Sequence, residues 1–479
     1  MLPEWIEKMT LPILELPVVK QLLYRPAFTP TEILNGIIIF TWLVYLWETY
    51  LSYRQHKVLK QTTSVPVELA GVIDNTTFHK SQSYNLDKST FDLVSSFYEQ
   101  IFQTAVLVFG GIPFLWFQSG KITNRFGYGK EHEISQAVVF ALVGSIISTL
   151  LGLPWSLYAT FVIEERHGFN KQTLGFYFKD KLKKFIVTQA IALPILACVI
   201  YIVKIGGDYF FVYLWVFCVV LILFLVTVYA DYIAPLFDNF TPLPEGELRT
   251  RIEVLAASID FPLKKLFVVE GSKRSAHSNA YFYGFFKNKR IVLFDTLIAD
   301  YKPANKEEEA ETTEEKENKG DGEDKPKTGC STNEILAVLA HELGHWKLNH
   351  NMKNLVISQV NMFLCFAVFA LLYKNQTLYT AFGFHDSQPV IIGFLVIFQY
   401  VFSPYHEVLN FLLTSLSRRF EFQADAFAKL LNRATDLRSS LIKLNKDNLG
   451  FPVYDWLYST WYHSHPPLLE RIRALGKID

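Results

Sequence analysis

The sequence predicts a mostly α-helical protein that crosses a membrane seven times and carries a small β edge. Half of the 479 residues are hydrophobic, 15% are aromatic and the mean hydropathy is +0.18, which is too apolar for an average soluble domain. A membrane-spanning helix needs about 20 mostly apolar residues, and seven segments meet that requirement. They are Ile33–Tyr53, Gln100–Gly120, Ile134–Ile163, Phe185–Val203, Tyr209–Ala230, Asn354–Tyr373 and Ser387–His406.

Charge and cysteine content exclude two other classes of protein. The formal net charge is zero, so no basic field indicates a nucleic-acid partner. The four cysteines form no CxxC motif, and three lie in apolar stretches, so neither a disulfide framework nor a cysteine metal site is expected. The partner that the composition does indicate is the lipid bilayer.

Lysine and arginine side chains predict the orientation of the spans. The loops after span one and after span three are rich in Lys and Arg, whereas the loops on the opposite side hold few. By the positive-inside rule, the N-terminal segment 1–30 is therefore lumenal. The two segments 237–353 and 417–479 then face the cytosol.

These assignments divide the chain into five parts. The lumenal segment 1–30 precedes spans one to five in 31–236, and spans six and seven lie in 354–416 between the two cytosolic segments. Within 237–353, residues 266–270 and 290–294 have the composition of short strands. Residues 302–328 are rich in Glu and Lys and contain no aromatic residue, which predicts a disordered acidic loop.

A helix with metal-ligand spacing precedes the sixth span. Residues 333–346 lack proline, have apolar residues at helical spacing and contain the motif HExxH. His341 and His345 are four residues apart, so both imidazoles project from one helical face, and neutral imidazole is a good zinc ligand. Glu342 is close to the open coordination position, where it can take a proton from the attacking water. The alternative is a chance occurrence of HExxH.

A catalytic zinc usually has three protein ligands, and Glu421 is the best candidate for the third. It follows span seven in a stretch with helical character, and Asp425 lies four residues later on the same face. A carboxylate at that place suits a second-shell partner that accepts a hydrogen bond from a ligand histidine. Spacing alone leaves a surface helix with Arg–Glu pairs as the alternative.

The motifs together resemble the type I CAAX prenyl proteases, the zinc metalloproteases that process prelamin A in animals. The HExxH motif, Glu421 with Asp425, and the sequence Ser464–Pro467 carry the resemblance, which extends from Trp42 to Arg471. It implies one zinc ion per chain and a water-filled chamber enclosed by seven helices. It also implies residence in the endoplasmic reticulum and inner nuclear membranes. The implied substrates are prenylated CAAX proteins such as prelamin A, which lose three C-terminal residues and in some cases undergo a second, upstream cut.

The resemblance also assigns four residues outside the metal site. His465 and Arg471 are the candidate donors to the oxyanion that develops during peptide hydrolysis. Asn279 and Ala280 resemble the edge strand with which the family pairs an extended peptide. A structural histidine before the Pro–Pro turn and an ordinary strand edge are the alternatives.

Two rival functions share the predicted zinc site. One is a broad-specificity quality-control metalloprotease of the membrane, which the seven spans and the long first half disfavour. The other is a transporter or receptor with a structural zinc, which would need four protein ligands. A fourth ligand is not evident, because His350 lies nine residues after His341 and is expected off the ligand face. We interpret the remaining candidates as structural or surface histidines: His277, His350, His385, His406 and His463.

Overall fold

The computed structural model describes residues 28–129, 131–228, 232–273, 279–284, 289–299, 301 and 329–476. Within these residues the chain is mostly helical and has one small sheet, which confirms the predicted fold class. The predicted acidic loop 302–328 and nearly all of the predicted lumenal segment 1–30 lie outside the described residues.

Fifteen α-helices follow one another along the described residues. They are α1 (Pro30–Gln61), α2 (Asn75–Val108), α3 (Gly111–Arg125), α4 (Glu133–Tyr158), α5 (Leu174–Ile205), α6 (Phe210–Val228), α7 (Glu247–Ser258), α8 (Thr332–Lys347), α9 (His350–Leu372), α10 (Gln376–Ala381), α11 (Val390–Phe394), α12 (Ser403–Leu430), α13 (Ala434–Asp447), α14 (Trp456–Tyr462) and α15 (Leu468–Leu475). The strands are β1 (Phe240–Pro242), β2 (Leu263–Val269), β3 (Ala280–Tyr283) and β4 (Lys289–Phe294).

All seven predicted spans correspond to helices. Among the described residues, five helices are long and apolar enough to cross a membrane, and two bent helix pairs bring the number to as many as seven. The second predicted span is the pair α2–α3, bent by 66°, and the seventh is residues 390–401 with α12, bent by 59°. Gly110, with φ 65°, turns the chain between α2 and α3. Pro404 stands in the first turn of α12, where its missing N–H is tolerated.

The spanning helices present apolar side chains outward. Leu43 on α1, Ile147 on α4, Val220 on α6 and Val356 on α9 are all exposed in the isolated chain. Helices satisfy their own backbone hydrogen bonds, so such faces are stable against lipid. The chain is a multi-pass membrane protein, and a bilayer covers these faces.

Two of the four buried hydrophobic clusters among the described residues form the main cores of the fold. The first joins the spanning helices and contains Phe369, whose ring stacks on Phe394 with centroids 4.2 Å apart. The second joins the sheet, α7, α8 and α13 through fully buried residues such as Ile291, Leu336 and Leu343. The second core positions α8 independently of lipid contacts.

The sheet has the strand order β1-β2-β4-β3. Strands β2 and β4 are parallel, while β1 and β3 pair antiparallel with their neighbours. The two strands that the sequence predicts correspond to β2 and β4. Within the described residues β3 is an edge strand, and it packs against α8. The β3 edge of the sheet therefore lies beside the helix that carries HExxH.

Candidate metal centre

Helix α8 has a well-defined start and is buried over most of its surface. Ser331 caps it, and Ser331 and Glu334 exchange the reciprocal bonds of a capping box. His341 is 5% exposed, and His345 follows one turn later on the same face. The Nε2 atoms of the two histidines lie 3.2 Å apart, as the four-residue spacing predicts.

Helix α12 brings Glu421, the predicted third ligand, to α8. The two helices approach closely at Gly344, where an added Cβ would meet Phe427 Cβ at 3.1 Å and the Ala424 Cα at 3.2 Å. Glu421 and Asp425, on the same face of α12 as Ala424, are each 2% exposed. Glycine between the two histidines thus permits the contact that places Glu421 beside them.

The three side chains form a group that can hold a metal ion. Glu421 Oε2 lies 3.4 Å from His341 Nε2, and Glu421 Oε1 lies 3.3 Å from His345 Nε2. Two ligands, each about 2.0–2.1 Å from a tetrahedral zinc ion, are about 3.3 Å apart. The observed spacings therefore match a tetrahedral zinc site. Among the described residues, no other His, Cys, Asp or Glu joins this group.

The electrostatics of the group also fit a cation. Glu421 Oε2 is buried and has no hydrogen bond of good geometry within the described residues, although His465 Nδ1 lies 3.0 Å away. Burial lowers the pKa of His341, but the hydrogen bond to Asp425 and the close carboxylate of Glu421 outweigh burial and raise that pKa to about 9. The carboxylates of this cluster therefore favour a positive charge between them, which a bound dication would provide.

Asp425 and Arg471 support His341. The His341 Nδ1 atom lies 2.8 Å from Asp425 Oδ1, which is the contact predicted for a second-shell carboxylate. Arg471 donates to the same carboxylate through Nε at 2.9 Å and Nη2 at 2.6 Å. Its Nη1 atom lies 3.7 Å from Glu421 Oε2. Two of its three nitrogens thus bind Asp425, and Nη1 is the one that faces the site.

His350 lies against His345, which the sequence did not indicate. Its Nδ1 atom is 3.0 Å from His345 Nδ1. The nine-residue spacing from His341 predicts a position off the ligand face, and His350 is indeed outside the group of candidate ligands. It contacts His345 because α8 ends and Asn349, with φ 56°, folds the chain into α9. Asparagine tolerates this left-handed conformation, so an Asn just before the histidine was the available signal.

Helix α12 also fixes the segment that carries His465. Arg418 donates through Nη1 to the carbonyls of Ser459 and His463, each at 3.3 Å, and through Nη2 to Glu470 at 2.6 Å. The side chain of His465 itself is 70% exposed. The His465 side chain is therefore accessible from solvent at the edge of the site, while Arg418 holds the chain around it. Sequence reasoning did not identify Arg418.

His463 is half-buried among aromatic rings, close to the exposed His465. Its ring lies 4.5 Å from that of Tyr454, in an edge-to-face arrangement. Burial and the nearby Arg418 lower the pKa of His463 to about 4, so it is neutral at physiological pH. This agrees with its interpretation as a structural residue.

Glu342 is partly buried beside the three ligands. Burial raises its pKa, and His341, His345 and His465 oppose the shift. A carboxylate with a raised pKa holds a proton more readily than an exposed one, which suits a group that accepts and returns a proton.

Asn279 and Ala280 lie where the sheet meets α8. Ala280 begins β3 and pairs with Leu293, and Asn279 precedes it with its side chain exposed. The carbonyl of Asn279 accepts from Phe294 N at 3.0 Å, and its Oδ1 accepts from Ala280 N at 2.8 Å. Strand β3 is thus anchored to β4 along one side, and within the described residues no strand pairs with its other side.

Comparison with known families covers most of the chain. Residues 55–239 match the family model described as CAAX prenyl protease N-terminal, five membrane helices. Residues 242–479 match the model for peptidase family M48. The second match contains the HExxH helix, Glu421 and the C-terminal histidine segment.

Curated relatives and a solved structure resemble the chain over nearly its full length. The CAAX prenyl protease 1 homolog of Mus musculus is 61% identical, and that of Homo sapiens is 60% identical, each over 93% of this chain and 95% of the relative. The CAAX prenyl protease 1 of Saccharomyces cerevisiae is 36% identical over 96% of this chain and 98% of its own. The crystal structure of S. mikatae Ste24p superimposes with a TM-score of 0.81 at 37% identity, covering 94% of this chain and 100% of that one.

Proposed function

This chain belongs to peptidase family M48 as a CAAX prenyl protease, and we propose that it removes the three residues that follow a prenylated cysteine. It is a metalloprotease built into a membrane. The observation that carries the proposal is the convergence of His341, His345 and Glu421, whose ligand atoms all lie within 4.8 Å of one another. A second, upstream cut in substrates such as prelamin A is part of the proposal, because the resemblance to the family implies it.

We assign the metal as one zinc ion per chain. Two imidazoles and one carboxylate are the donor set of many catalytic zinc sites, and the observed spacings fit it. A zinc ion held there supplies the Lewis acidity that activates water and polarises the scissile carbonyl. A three-residue set leaves a coordination position open, which disfavours the rival of a structural zinc in a transporter or receptor.

The residues around the metal have separate tasks in hydrolysis. Glu342 takes a proton from the attacking water and delivers it to the leaving amine. His465, exposed and 3.0 Å from the ligand carboxylate through Nδ1, donates to the developing oxyanion. Arg471 contributes through Nη1, while its other contacts hold Asp425.

The substrate peptide aligns on the edge of the sheet. Main-chain bonds to β3 would hold an extended peptide across α8, with Asn279 and Ala280 at its start. The packing of β3 against α8 supports this arrangement. The peptide then passes the metal with its scissile bond near Glu342.

We place the enzyme in the endoplasmic reticulum and inner nuclear membranes, with its N-terminus lumenal and its active site open to the cytosolic or nuclear side. The distribution of Lys and Arg between the loops supports this orientation. A glycosylation sequon inserted with spacers at Ser387 should be modified. The same insert within residues 311–319 should remain unmodified, and modification there would reverse the orientation.

The proposed activity is tested with purified protein and a pair of peptides. Both end in the same CAAX sequence, and one carries a prenyl group on the cysteine. Mass spectrometry should find release of the last three residues from the prenylated peptide and much slower release from the other. Equal cleavage of both, at several sites, would instead indicate the broad-specificity quality-control protease.

A further inference from the structure

We infer that His350 and Gln423 are positioning residues that fix the tautomer and the ring orientation of the metal ligand His345. The inference rests on the proposed metal site and adds two residues that neither the HExxH motif nor the family resemblance assigned. The geometry points to a hydrogen-bonded chain that runs from Gln423 through His350 to His345.

The contacts of His350 define this chain. His350 is 1% exposed, and its two ring nitrogens each have a partner. Nδ1 lies 3.0 Å from His345 Nδ1, and Nε2 lies 3.0 Å from Gln423 Oε1. The ring also stacks on Phe420, with centroids 4.0 Å apart and planes 7° from parallel. The two nitrogen contacts therefore restrict rotation of the His350 ring within its plane, and the stacking on Phe420 restricts its tilt.

The positions of the ring protons allow only one arrangement of this hydrogen-bonded chain. A metal on Nε2 of His345 requires the proton of that neutral ring to be on Nδ1. The Nδ1–H of His345 then donates to His350 Nδ1, which must present a lone pair. His350 consequently carries its own proton on Nε2 and donates it to an amide oxygen of Gln423. With the Gln423 amide reversed, its N–H would donate to His350 Nε2, and His350 would carry its own proton on Nδ1. His350 would then donate to His345 Nδ1, which would leave the proton of His345 on Nε2, the metal-binding nitrogen.

The two ligand histidines differ in how much they need such a partner. The His341 side chain is 6% exposed, whereas that of His345 is 16% exposed. Packing alone therefore confines His345 less, and a directional bond to its Nδ1 restricts the ring. Helix α9 supplies this bond through His350, and helix α12 holds His350 through Gln423, which lies two residues after Glu421 and two before Asp425. Helix α12 thus carries the proposed ligand Glu421, the carboxylate of Asp425 that contacts His341, and the amide of Gln423 that contacts His350.

The test replaces His350 and Gln423, the two supporting members of the hydrogen-bonded chain, by side chains of similar size. His350→Phe keeps the ring and its stacking on Phe420 but removes the acceptor, and Gln423→Leu removes the end of the chain. Zinc dissociation constants are measured by chelator competition, together with the thermal midpoint of the metal-free protein. His79→Phe is the matched control, since His79 is an exposed histidine whose Nδ1 lies 3.4 Å from Gln82 Oε1.

We expect each substitution to weaken zinc binding about 10–100-fold, the range typical of second-shell partners. The double variant should be no weaker than His350→Phe alone, because Gln423 acts only through His350. Gln423→Glu keeps an acceptor and should retain near wild-type affinity. The cobalt-substituted His350→Phe protein should have altered visible absorption, which reports a changed ligand geometry.

Zinc affinities within about twofold of wild type for both single variants would overturn the inference. So would additive losses in the double variant, or a loss of affinity that only follows a lower thermal midpoint of the metal-free protein. If wild-type protein itself binds no zinc, the proposed metal site fails first, and the inference fails with it.

Discussion

The two sides of the metal centre hold their histidines by different physical means. On one side His341 is buried and faces Asp425, whose carboxylate is held by two nitrogens of Arg471. On the other side the more exposed His345 faces a neutral partner, His350. The first support contains a buried carboxylate and a half-buried guanidinium, whereas the second contains no charged group. The same requirement, a proton on Nδ1 of the ligand, is met once by charge and once by neutral hydrogen bonding.

This difference predicts that one support contributes to the stability of the fold, whereas the other affects mainly the affinity for the metal. Removing one member of a buried ion pair leaves an uncompensated charge and costs about 3–5 kcal/mol. Removing a neutral hydrogen bond typically costs about 0.5–1.5 kcal/mol. The Asp425 side should therefore contribute to the stability of the metal-free protein. The His350 side should act mainly once a metal is bound.

The largest effect is expected from Asp425→Ala. The substitution leaves the half-buried guanidinium of Arg471 without its carboxylate, and we expect a loss of roughly 3–5 kcal/mol in the free energy of unfolding. Thermal denaturation of the metal-free protein measures this loss. The double variant Asp425→Ala/Arg471→Met should recover much of the stability but not the zinc affinity. An unchanged thermal midpoint for Asp425→Ala would contradict the comparison.

The pH dependence of zinc binding sharpens the contrast. The hydrogen bond to Asp425 helps to raise the pKa of His341 to about 9, so below that pH zinc must displace a proton from this ring. Zinc affinity should then fall about tenfold for each pH unit below 9, for one displaced proton. Chelator competition at several pH values measures the slope. The slope should be shallower in Asp425→Asn, because that substitution lowers the pKa of His341. It should be unchanged in His350→Phe.

Gly344→Ala tests the approach of the two helices that unites both sides. The added methyl group meets Phe427 and Ala424 at 3.1–3.2 Å, so α12 must move by a few tenths of an ångström. We expect zinc affinity to fall about tenfold, within the range of changes that shift ligand geometry. Gly36→Ala is the control, because an added Cβ there meets nothing within 4 Å. Equal zinc affinity in both variants would argue against the close approach as a requirement.

The smallest effect on the metal is expected from Arg418→Gln, which lies outside both supports. Its contacts with the carbonyls of Ser459 and His463 hold the segment before His465. A displaced oxyanion donor should lower kcat about tenfold, less than the removal of such a donor. Zinc content should stay at wild-type level, as measured by metal analysis of the same sample. Loss of zinc would show that this segment supports the ligands as well.

The sequence predicted those parts of the site that follow from helical periodicity. His341 and His345, and Glu421 with Asp425, are pairs four residues apart, and that spacing fixes a shared face without knowledge of the fold. The seven spans followed from length and hydropathy in the same way. These features are local, so sequence alone sufficed.

The sequence did not predict contacts that depend on a change of direction or on distant segments. The left-handed Asn349 returns His350 to His345, although uninterrupted helical geometry would separate them. Arg418 reaches residues 41 to 52 positions later in the chain, and no local pattern marks that contact. The bend at Gly110 likewise follows from one residue with positive φ inside an apolar run that had the length of a single helix.

The most direct test of the account compares wild-type protein with Glu342→Gln. Both are assayed for bound zinc and for release of the last three residues from a prenylated peptide. We predict one zinc per chain in each, because Glu342 is not a ligand. Turnover in the variant should fall about 10²–10⁴-fold, because the amide cannot accept the proton. Turnover near wild type would contradict the assignment of Glu342 as the base, and absence of zinc from wild-type protein would contradict the metal centre itself.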